Sequence, residues 1–345
     1  MTGIDAWMDV EDQLLRPYVG RDINTRLEKK EFLQVLNVMF YNQENNRNAV
    51  FFYGGNSMYQ DDLKNTLRSQ LEISRERALS LGEEAVMIIR NGYYYLPDGT
   101  QVDIREQMER SVMGTVSYPP ESMLPQLAHS DKNTRIEIQN CTTLTALQQL
   151  LSRGTHPVAL NFASAESPGG GFLQGARAQE EYLARSSTLY SCLQHNPMYA
   201  YHRTHQDPFY SDYVIYSPDV VVFRDDDGAM LAKPFSTAII TSPAVHAHGV
   251  RRYLPDQEER IGEVMWQRIL KVLAVAVKHE HDSIVLGAWG CGAFGNDGYQ
   301  IARLFKRALD VNFVGAFENV IFAITDWSND DRFIRPFKEV LGVGC

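Results

Sequence analysis

The sequence is poor in cysteine and has no long apolar run. Its 345 residues include four cysteines, and no two of them form a CxxC pair. Scattered thiols of this kind are typical of a reducing compartment rather than of a disulfide framework. No stretch approaches the roughly 18 apolar residues of a membrane-spanning helix, and the acidic N-terminus MTGIDAWMDVEDQLL lacks an apolar signal core. We therefore expect a soluble, intracellular protein with no membrane partner. It would be cytoplasmic, or nuclear if the source is a eukaryote.

An excess of basic residues is also missing. Lysine and arginine together number 33 against 43 aspartates and glutamates, which gives a net charge of −10. Such a chain does not wrap a nucleic-acid backbone by charge alone, so we expect no sequence-specific nucleic-acid binding. An anionic ligand would have to be recognised locally, by backbone N–H groups and a few dipoles. A monomer is expected.

The nine histidines do not form a recognisable metal motif. They include the alternating pair His246 and His248 and the group His195, His202 and His205. No cysteine accompanies them at the paired spacing of a structural zinc site. We therefore interpret them as packed or solvated side chains and expect neither a metal nor a cofactor.

Length and patterning predict two regions. Residues 1–125 have a mainly helical pattern, interrupted by GYYYLPDGTQVDI, in which Asp98-Gly99 indicates a hairpin. A seam rich in proline and polar residues follows at 118–134. From residue 126 to 345 strands and helices alternate, which predicts an α/β domain, a three-layer α/β/α sandwich with a mixed, mostly parallel sheet.

The apolar periodicity predicts the individual elements. In the second region it indicates strands at 135–140, 158–163, 213–216, 220–224, 236–241, 283–286 and 319–325, and helices at 143–152, 179–193, 258–279, 299–310 and 332–341. In the first region it indicates helices at 27–40, 61–90 (punctuated near Gly82) and 105–113, and a short strand at 50–55.

The most informative stretch is NFASAESPGGGFLQGARAQEE, residues 161–181. A buried strand ends near its start, and the glycines 169–171 tolerate positive φ and let a ligand or another backbone come close. The next helix begins with Gln179, Glu180 and Glu181, so two carboxylates lie at the carboxyl end of a strand, where open α/β sheets bind ligands. A purely structural alternative also exists, because acidic residues in a first helical turn complement the helix dipole.

A second glycine loop, GAWGCGAFGND at 287–297, follows another apolar strand and precedes a helix. Gly290, Gly292 and Gly295 spell GxGxxG, a pattern whose N–H groups can bind a pyrophosphate. A dinucleotide site also needs an acid about 20 residues on, at a strand, whereas Asp310 falls in the predicted helix. The loop therefore indicates pyrophosphate binding without a Rossmann cofactor, and Cys291 is favoured as a packing residue over a nucleophile.

The two loops together resemble the signature of the microbial-type poly(ADP-ribose) glycohydrolases. The likeness rests on GGG, a seven-residue spacer and QEE, on RSSTLY, on TSPAVHA and on GAWGCGAFGND, and it covers roughly residues 75–325. It implies a macrodomain-like fold for residues 126–345 and a glycosidase that cuts ribose–ribose O-glycosidic bonds and releases ADP-ribose. Poly(ADP-ribose) or ADP-ribosylated macromolecules would be its partners.

The resemblance also implies roles for single residues. Glu181 would be the general acid, Glu180 would hold the neighbouring ribose hydroxyls, and Gln179 would orient the loop. The implied substrate-binding residues are Asn161, Gly169, Gly170, Gly171, Gln179, Gly290, Gly292, Ala293, Phe294, Gly295 and Asn296. For the aromatic rings of Phe172 and Phe294, stacking on the ligand and anchoring of the loop to the core both stay open.

Other function classes share parts of this pattern. A reader macrodomain would bind ADP-ribose without cutting it, although the paired carboxylates argue against that role. A mono-ADP-ribosyl hydrolase would remove single units from protein or nucleic acid. A dehydrogenase would use the GxGxxG loop for NAD, although the acid that this use requires is missing.

Overall fold

The structure of the protein, a computed structural model, describes residues 57–125 and 128–342, with side chains from residue 64 onward. The helix predicted at 27–40 and the strand predicted at 50–55 lie outside the described residues. The chain divides into two compact units, Met1–Tyr59 and Gln60–Cys345, and the boundary predicted near residue 125 stays a prediction. Among the described helices, none is long and apolar enough to cross a membrane.

The first described elements are mainly helical, as the pattern predicts. They are α1 (Ser57–Leu71), α2 (Arg75–Asn91), a hairpin of β1 (Tyr93–Tyr95) and β2 (Gln101–Asp103), α3 (Arg105–Gly114) and β3 (Val116–Tyr118). The prediction of one helix over 61–90 is wrong in one respect, because the break comes before Ser74 and not at Gly82. The Ser74 side chain accepts the N–H of Arg77 and so caps α2.

Besides three short 3₁₀ or π segments, the alternating region contains fourteen β-strands and α-helices among its described residues. They are β4 (Arg135–Gln139), α4 (Thr143–Ser152), β5 (Pro157–Phe162), α5 (Gln179–Ser186), α6 (Leu189–Leu193), α7 (Pro197–Thr204), β6 (Val214–Arg224), β7 (Met230–Ser242), α8 (Ala247–Tyr253), α9 (Ile261–Lys278), β8 (Ser283–Leu286), α10 (Gly298–Arg307), β9 (Asn319–Ala323) and α11 (Arg335–Leu341). Every strand and helix predicted here has a counterpart, whereas α7 and α8 were not predicted.

Two predicted elements are divided differently in the structure. The single helix expected at 179–193 is broken into α5 and α6, because Ser187 leaves the helix and bridges to Val222 of β6. The two strands expected at 213–216 and 220–224 form the one strand β6, whose register shifts between Ser217 and Val220. Both differences come from pairing between distant segments, which local periodicity does not report.

Seven strands form the central sheet in the order β3-β6-β7-β5-β8-β9-β4. The five strands from β7 to β4 run parallel, and β3, β6 and β7 pair antiparallel. This confirms the mixed, mostly parallel sheet. The edge strand β3 was not predicted, and it is supplied by the region before residue 125.

Helices cover both faces of this sheet. On β5, Val158 and Leu160 pack into a cluster with α9 and α10, whereas Ala159 packs into a cluster with α4 and α5. This period-2 alternation between two apolar clusters confirms the three-layer sandwich. Because four strands run parallel beside one another, the loops that follow β5, β7, β8 and β9 emerge at the same edge.

Candidate active site

A cavity of about 560 Å³ lies at this edge. Its walls come from the two ends of the loop after β5, the second glycine loop, the first turns of α4 and α5, and the segment after β9, whereas Gly169, Gly170 and Gly171 do not line it. The strands β5 and β8 are direct neighbours, with Val158 paired to Ile284. The two loops that the sequence connects to one ligand therefore emerge side by side. Of the predicted site residues, the cavity is lined by Gln179, Glu180, Glu181, Gly290, Gly292, Ala293 and Phe294.

The triple glycine lies directly against the two carboxylates. Gly169 and Gly170 have φ of 70° and 61°, values that side-chain-bearing residues rarely adopt. A Cβ added to Gly170 would lie 2.2 Å from Oε1 of Glu181 and 3.0 Å from Oε2 of Glu180. Glycine is therefore required at 170 both for the backbone conformation and for the close approach of the carboxylates.

Glu181 has one fixed and one free carboxylate oxygen. Its side chain is 8% exposed, and its Oε1 accepts the N–H of Gly171 at 2.9 Å. Its Oε2 is buried and has no hydrogen-bond partner among the described residues. A buried oxygen without a partner is unfavourable unless a ligand or water supplies a donor, so this atom is where a bound molecule would meet the carboxyl group.

Glu180, by contrast, has both oxygens occupied. Oε2 accepts the N–H of Ser164 at 2.6 Å, and Oε1 accepts from Nδ2 of Asn161 at 3.3 Å. Burial raises the pKa of Glu180 to about 8, and the negative charge of Glu181 adds to the effect, while the hydrogen bonds from Ser164 and Asn161 oppose it. The surroundings of Glu180 therefore favour the protonated form of its carboxyl group.

Gln179 and Asn161 hold this pair of carboxyl groups in place. The side-chain amide of Gln179 accepts the N–H of Phe162 at 2.9 Å and donates to the carbonyl oxygen of Leu160 at 2.8 Å, so it continues the hydrogen bonding of β5. Its Nε2 also donates to Oγ1 of Thr143 in α4. Asn161 is fully buried and reaches the cavity only through Glu180.

Asp226 is a contact that the sequence did not reveal. The run Asp225-Asp226-Asp227-Gly228 lies in the turn that connects β6 to β7. In addition, the Asp226 carboxylate accepts hydrogen bonds from the hydroxyl groups of Thr142 and Tyr182. Tyr182 directly follows Glu181, so Asp226 ties the first turn of α5 to the cap of α4. The partners are over 40 residues apart, and no local signal connects them.

The second loop is held by its own side chains. Gly290 and Gly295 have φ of 75° and 72°. Nδ2 of Asn296, 5% exposed as a residue, donates to the carbonyl oxygens of Val245 at 2.7 Å and Gly290 at 3.2 Å. Gly292 is different, because a Cβ added there would meet no atom within 4 Å. The middle of this loop therefore faces open space.

The two phenylalanines have different surroundings. Phe172 is 1% exposed and packs on the ring of Tyr190 at 4.9 Å, so it anchors its loop to the core. Phe294 lines the cavity and contacts the ring of His246 edge-on at 5.0 Å, which leaves it available to a ligand. Burial raises the pKa of the Cys291 thiol to about 12, which agrees with a packing role for that residue.

The segment after β9 forms one wall of the cavity. It contains no glycine motif, and the sequence analysis did not predict it as part of the site. Thr325, Asp326, Trp327, Ser328, Arg332 and Phe333 line the cavity there. The buried carboxylate of Asp326 accepts the N–H groups of Ser328, Phe333 and Ile334 and thereby shapes the segment. Burial alone would raise the pKa of Asp326, but these hydrogen bonds lower it. Within residues 57–125 and 128–342, no group of three or more His, Cys, Asp or Glu side chains is arranged to hold a metal ion.

Comparisons with known proteins agree with this geometry. The family described as "Microbial-type PARG, catalytic domain" matches residues 82–225. The crystal structure of poly(ADP-ribose) glycohydrolase from Thermomonospora curvata is 43% identical, with a TM-score of 0.73, and the match covers 76% of this chain and 99% of that one. The same enzyme bound to the inhibitor ADP-HPD has a TM-score of 0.71.

A second bacterial enzyme gives a similar result. The poly(ADP-ribose) glycohydrolase of Deinococcus radiodurans, in complex with ADP-ribose, is 38% identical, with a TM-score of 0.66, and the match covers 69% of this chain and 98% of that one. A comparison with curated protein sequences finds no match. The expected fold and enzyme class are confirmed, and the dehydrogenase alternative is wrong. The chain belongs to the microbial-type poly(ADP-ribose) glycohydrolases, a family of glycosidases.

Proposed function

We propose that the protein hydrolyses the ribose–ribose O-glycosidic bonds of poly(ADP-ribose) and releases ADP-ribose, with Glu181 as the general acid. The observation that carries this proposal is the asymmetric environment of the Glu181 carboxyl group. Oε1 is fixed by the N–H of Gly171, while the buried Oε2 has no partner among the described residues and belongs to a cavity-lining side chain. The relatives crystallised with ADP-HPD and with ADP-ribose support the choice of substrate.

The chemistry needs a proton donor at the leaving oxygen. Glycoside hydrolysis passes through an oxocarbenium-like transition state, and protonation of the leaving oxygen lets the C–O bond break. Glu181 donates its proton from Oε2 to the leaving ribose oxygen and becomes a carboxylate. A water molecule then adds to the anomeric carbon, and Glu181 takes up the proton that this water loses. The hydrogen bond from Gly171 keeps the carboxyl group in one orientation through both steps.

Glu180 has a different task in this proposal. Because its surroundings favour the protonated form, its carboxyl group can donate a hydrogen bond to a hydroxyl group of the adjacent ribose. Its orientation is set by Ser164 and Asn161, and Gln179 fixes the start of the helix that carries it. Once Glu181 has donated its proton, a neutral Glu180 avoids the repulsion between two adjacent carboxylates.

The second loop binds the diphosphate in this proposal. The N–H groups of Cys291, Gly295 and Asn296 already donate to carbonyl oxygens of the loop. The phosphate contacts are therefore assigned to the N–H groups of Gly292, Ala293 and Phe294. A Cβ at Gly292 would meet no atom within 4 Å, which leaves room there for a phosphate group. Phe294 stacks on the ligand at the same wall. Local recognition of this kind explains how a chain with a net charge of −10 can bind an anionic polymer.

The test is incubation of the purified protein with labelled poly(ADP-ribose), with and without EDTA. We expect free ADP-ribose to appear at the same rate in both reactions. Binding of ADP-ribose without any cleavage would indicate a reader instead. Activity only on mono-ADP-ribosylated protein or nucleic acid would indicate a mono-ADP-ribosyl hydrolase. Loss of cleavage with chelator, restored by a divalent ion, would overturn the metal-free mechanism.

A further inference from the structure

Helix α2, which lies outside the central sheet, packs against the loop that holds Glu181. One close approach is at Gly82, in the interior of the helix. A Cβ added to Gly82 would lie 2.8 Å from the carbonyl oxygen of Phe172 and 3.2 Å from the ring of the same residue. Real Cβ atoms essentially never come within 3.0 Å of another heavy atom. Only glycine therefore fits between α2 and the loop in this arrangement.

The start of α2 makes three more contacts with the same loop. A Cβ added to Gly175 would lie 2.6 Å from the carbonyl oxygen of Arg75. The side chain of Arg75 donates from Nε to the carbonyl oxygen of Gln174 at 2.9 Å, and Arg177 donates to the carbonyl oxygen of Ile73 at 2.7 Å. The helix and the loop are thus joined by backbone contact and by hydrogen bonds in both directions.

An ion pair connects α2 to β6 and, through Arg224, to the C-terminal end of α5. The guanidinium of Arg224, on β6, donates to the Glu84 carboxylate at 2.6 Å and to the carbonyl oxygen of Leu81 at 3.3 Å. The same guanidinium donates to the carbonyl oxygen of Arg185 in α5. The segment from Phe172 to Arg185, which contains Glu181, is therefore tied to α2 on both sides.

We propose that Gly82 is a positioning residue for the reaction. Because Gly82 has no side chain, α2 can pack closely against the Phe172 carbonyl, and this packing fixes the position of the Gly171 N–H that bonds to Glu181. This inference rests on the proposed role of Glu181. The Phe172 carbonyl lies two peptide units after the Gly170–Gly171 peptide, whose N–H bonds to Glu181 at 2.9 Å, so a displacement of this carbonyl shifts the short loop segment that carries that N–H. Misplacement of a catalytic group by about 1 Å can cost about 10²-fold in rate.

The helix by itself would favour another residue at this position. Alanine is about 1 kcal/mol more favourable than glycine in a helix interior. A substitution of Gly82 that acted only through the helix would therefore leave the protein as stable as before or more stable, and as active. A loss of turnover without a matching loss of fold is the result that only a positioning role predicts.

The experiment compares Gly82→Ala with Gly262→Ala. The control glycine also lies in a helix, α9, but its added Cβ would meet only the amide end of the flexible Gln300 side chain, at 2.7 Å, which can move aside. We expect Gly82→Ala to lower kcat on labelled poly(ADP-ribose) at least about tenfold, with KM changed less than about threefold. We expect Gly262→Ala to match the parent. Parental kcat in Gly82→Ala would overturn the proposal.

Arg75→Ala decides the question if Gly82→Ala folds poorly. The Arg75 side chain is exposed, so its removal does not threaten the fold, but it deletes the hydrogen bond to Gln174. We expect kcat to fall about threefold, a change of about 0.65 kcal/mol, with KM unchanged. Parental kcat in this variant would overturn the proposal as well.

A double variant separates this inference from the proposed function. If Gly82 acts through Glu181, adding Gly82→Ala to Glu181→Gln should cause no further loss of rate, because the two changes affect one unit. Additive losses would overturn the positioning role and leave the acid in place. Undiminished cleavage in Glu181→Gln alone would mean that the proposed acid itself is wrong.

Discussion

The two glycine loops at the mouth of the cavity use the same residue type for different purposes. In the first loop, Gly170 adopts a positive φ and its Cα touches the carboxylates of Glu180 and Glu181. In the second loop, Gly290 also has a positive φ, but its neighbours are the uncharged Ala244 and Asn296 side chains. The first loop therefore lies against two carboxyl groups, whereas the side chains packed on Gly290 in the second loop are uncharged.

A second contrast lies within the GxGxxG pattern itself. Gly290 and Gly295 are required by conformation and packing, since a Cβ at Gly295 would overlap the imidazole of His248. Gly292 has open space where its side chain would be. The sequence pattern treats the three glycines as equals, yet only the middle one is free to leave room for a ligand.

Among the variants that test the contrast between the loops, the largest effect is expected from Gly170→Ala, which tests the contact between the first loop and the carboxylates. The new Cβ would overlap Oε1 of Glu181, 2.2 Å away, and displace the proposed acid. We expect kcat to fall at least about 10²-fold, the usual contribution of a general acid. Steady-state kinetics on the polymer measure the loss, and circular dichroism checks the fold. Retention of parental kcat would show that the loop does not position the carboxylates.

Gly292→Val tests the open space in the second loop. Because the added side chain meets no atom within 4 Å of its Cβ, the melting temperature should stay at the parental value. Binding of ADP-ribose should weaken by about tenfold, or about 1.4 kcal/mol, since the valine fills the room proposed for the diphosphate. Calorimetric titration measures the Kd, and Gly292→Ala should show a smaller loss. Unchanged affinity in both variants would place the diphosphate elsewhere.

Tyr182→Phe tests whether α5, the helix that follows the first loop, can be disturbed without an effect on the second loop. The change removes the hydroxyl that donates to Asp226 and leaves the packing of the ring in place. One hydrogen bond of this kind contributes about 1 kcal/mol, so kcat should fall by about fivefold while the Kd for ADP-ribose stays within about twofold. Equal changes in kcat and Kd would argue against separate tasks for the two loops.

The smallest effect concerns stability and the protonation of Glu180. Its folded-state pKa of about 8 lies above the ordinary value of 4.5, so between these two pH values the folded protein binds a proton that the unfolded chain has released. The stability contribution of this group therefore falls as pH rises from about 4.5 to about 8. Glu180→Gln removes this titration. The difference between the melting temperature of the variant and that of the parent should therefore increase by a few degrees as the pH rises over this range. A difference that is constant with pH would contradict the raised pKa.

The sequence was sufficient for the parts of the fold that depend on local pattern. Alternating strands and helices predicted the sandwich, and the hairpin at Asp98-Gly99 followed from turn chemistry. The placement of the two glycine loops after strands of one sheet followed from the same pattern, whereas the pairing of β5 with β8 that brings them side by side did not. These features depend on apolar periods of two and 3.6 residues or on single turns, so the local sequence is enough to predict them.

The parts that the sequence did not show depend on contacts between distant segments. Gly82 looks like a helix interruption, although the structure uses it as a contact for Phe172. Asp226 looks like a turn residue, although its carboxylate reaches α4 and α5. The wall after β9, including Trp327, carries no residue type that marks a binding site. Each of these roles depends on a contact between two segments that are distant in the sequence, so neither segment alone indicates it.

The most direct test of the account is Glu181→Gln, read for turnover and for binding in the same preparation. Glutamine can still accept the Gly171 N–H but has no titratable proton, so we expect polymer cleavage to fall by at least about 10²–10⁴-fold. Thermal shift should show that ADP-ribose still binds, since ligand at about 100 times its Kd adds about 2.7 kcal/mol of stability. Cleavage that continues at the parental rate would show that the acid lies on another residue.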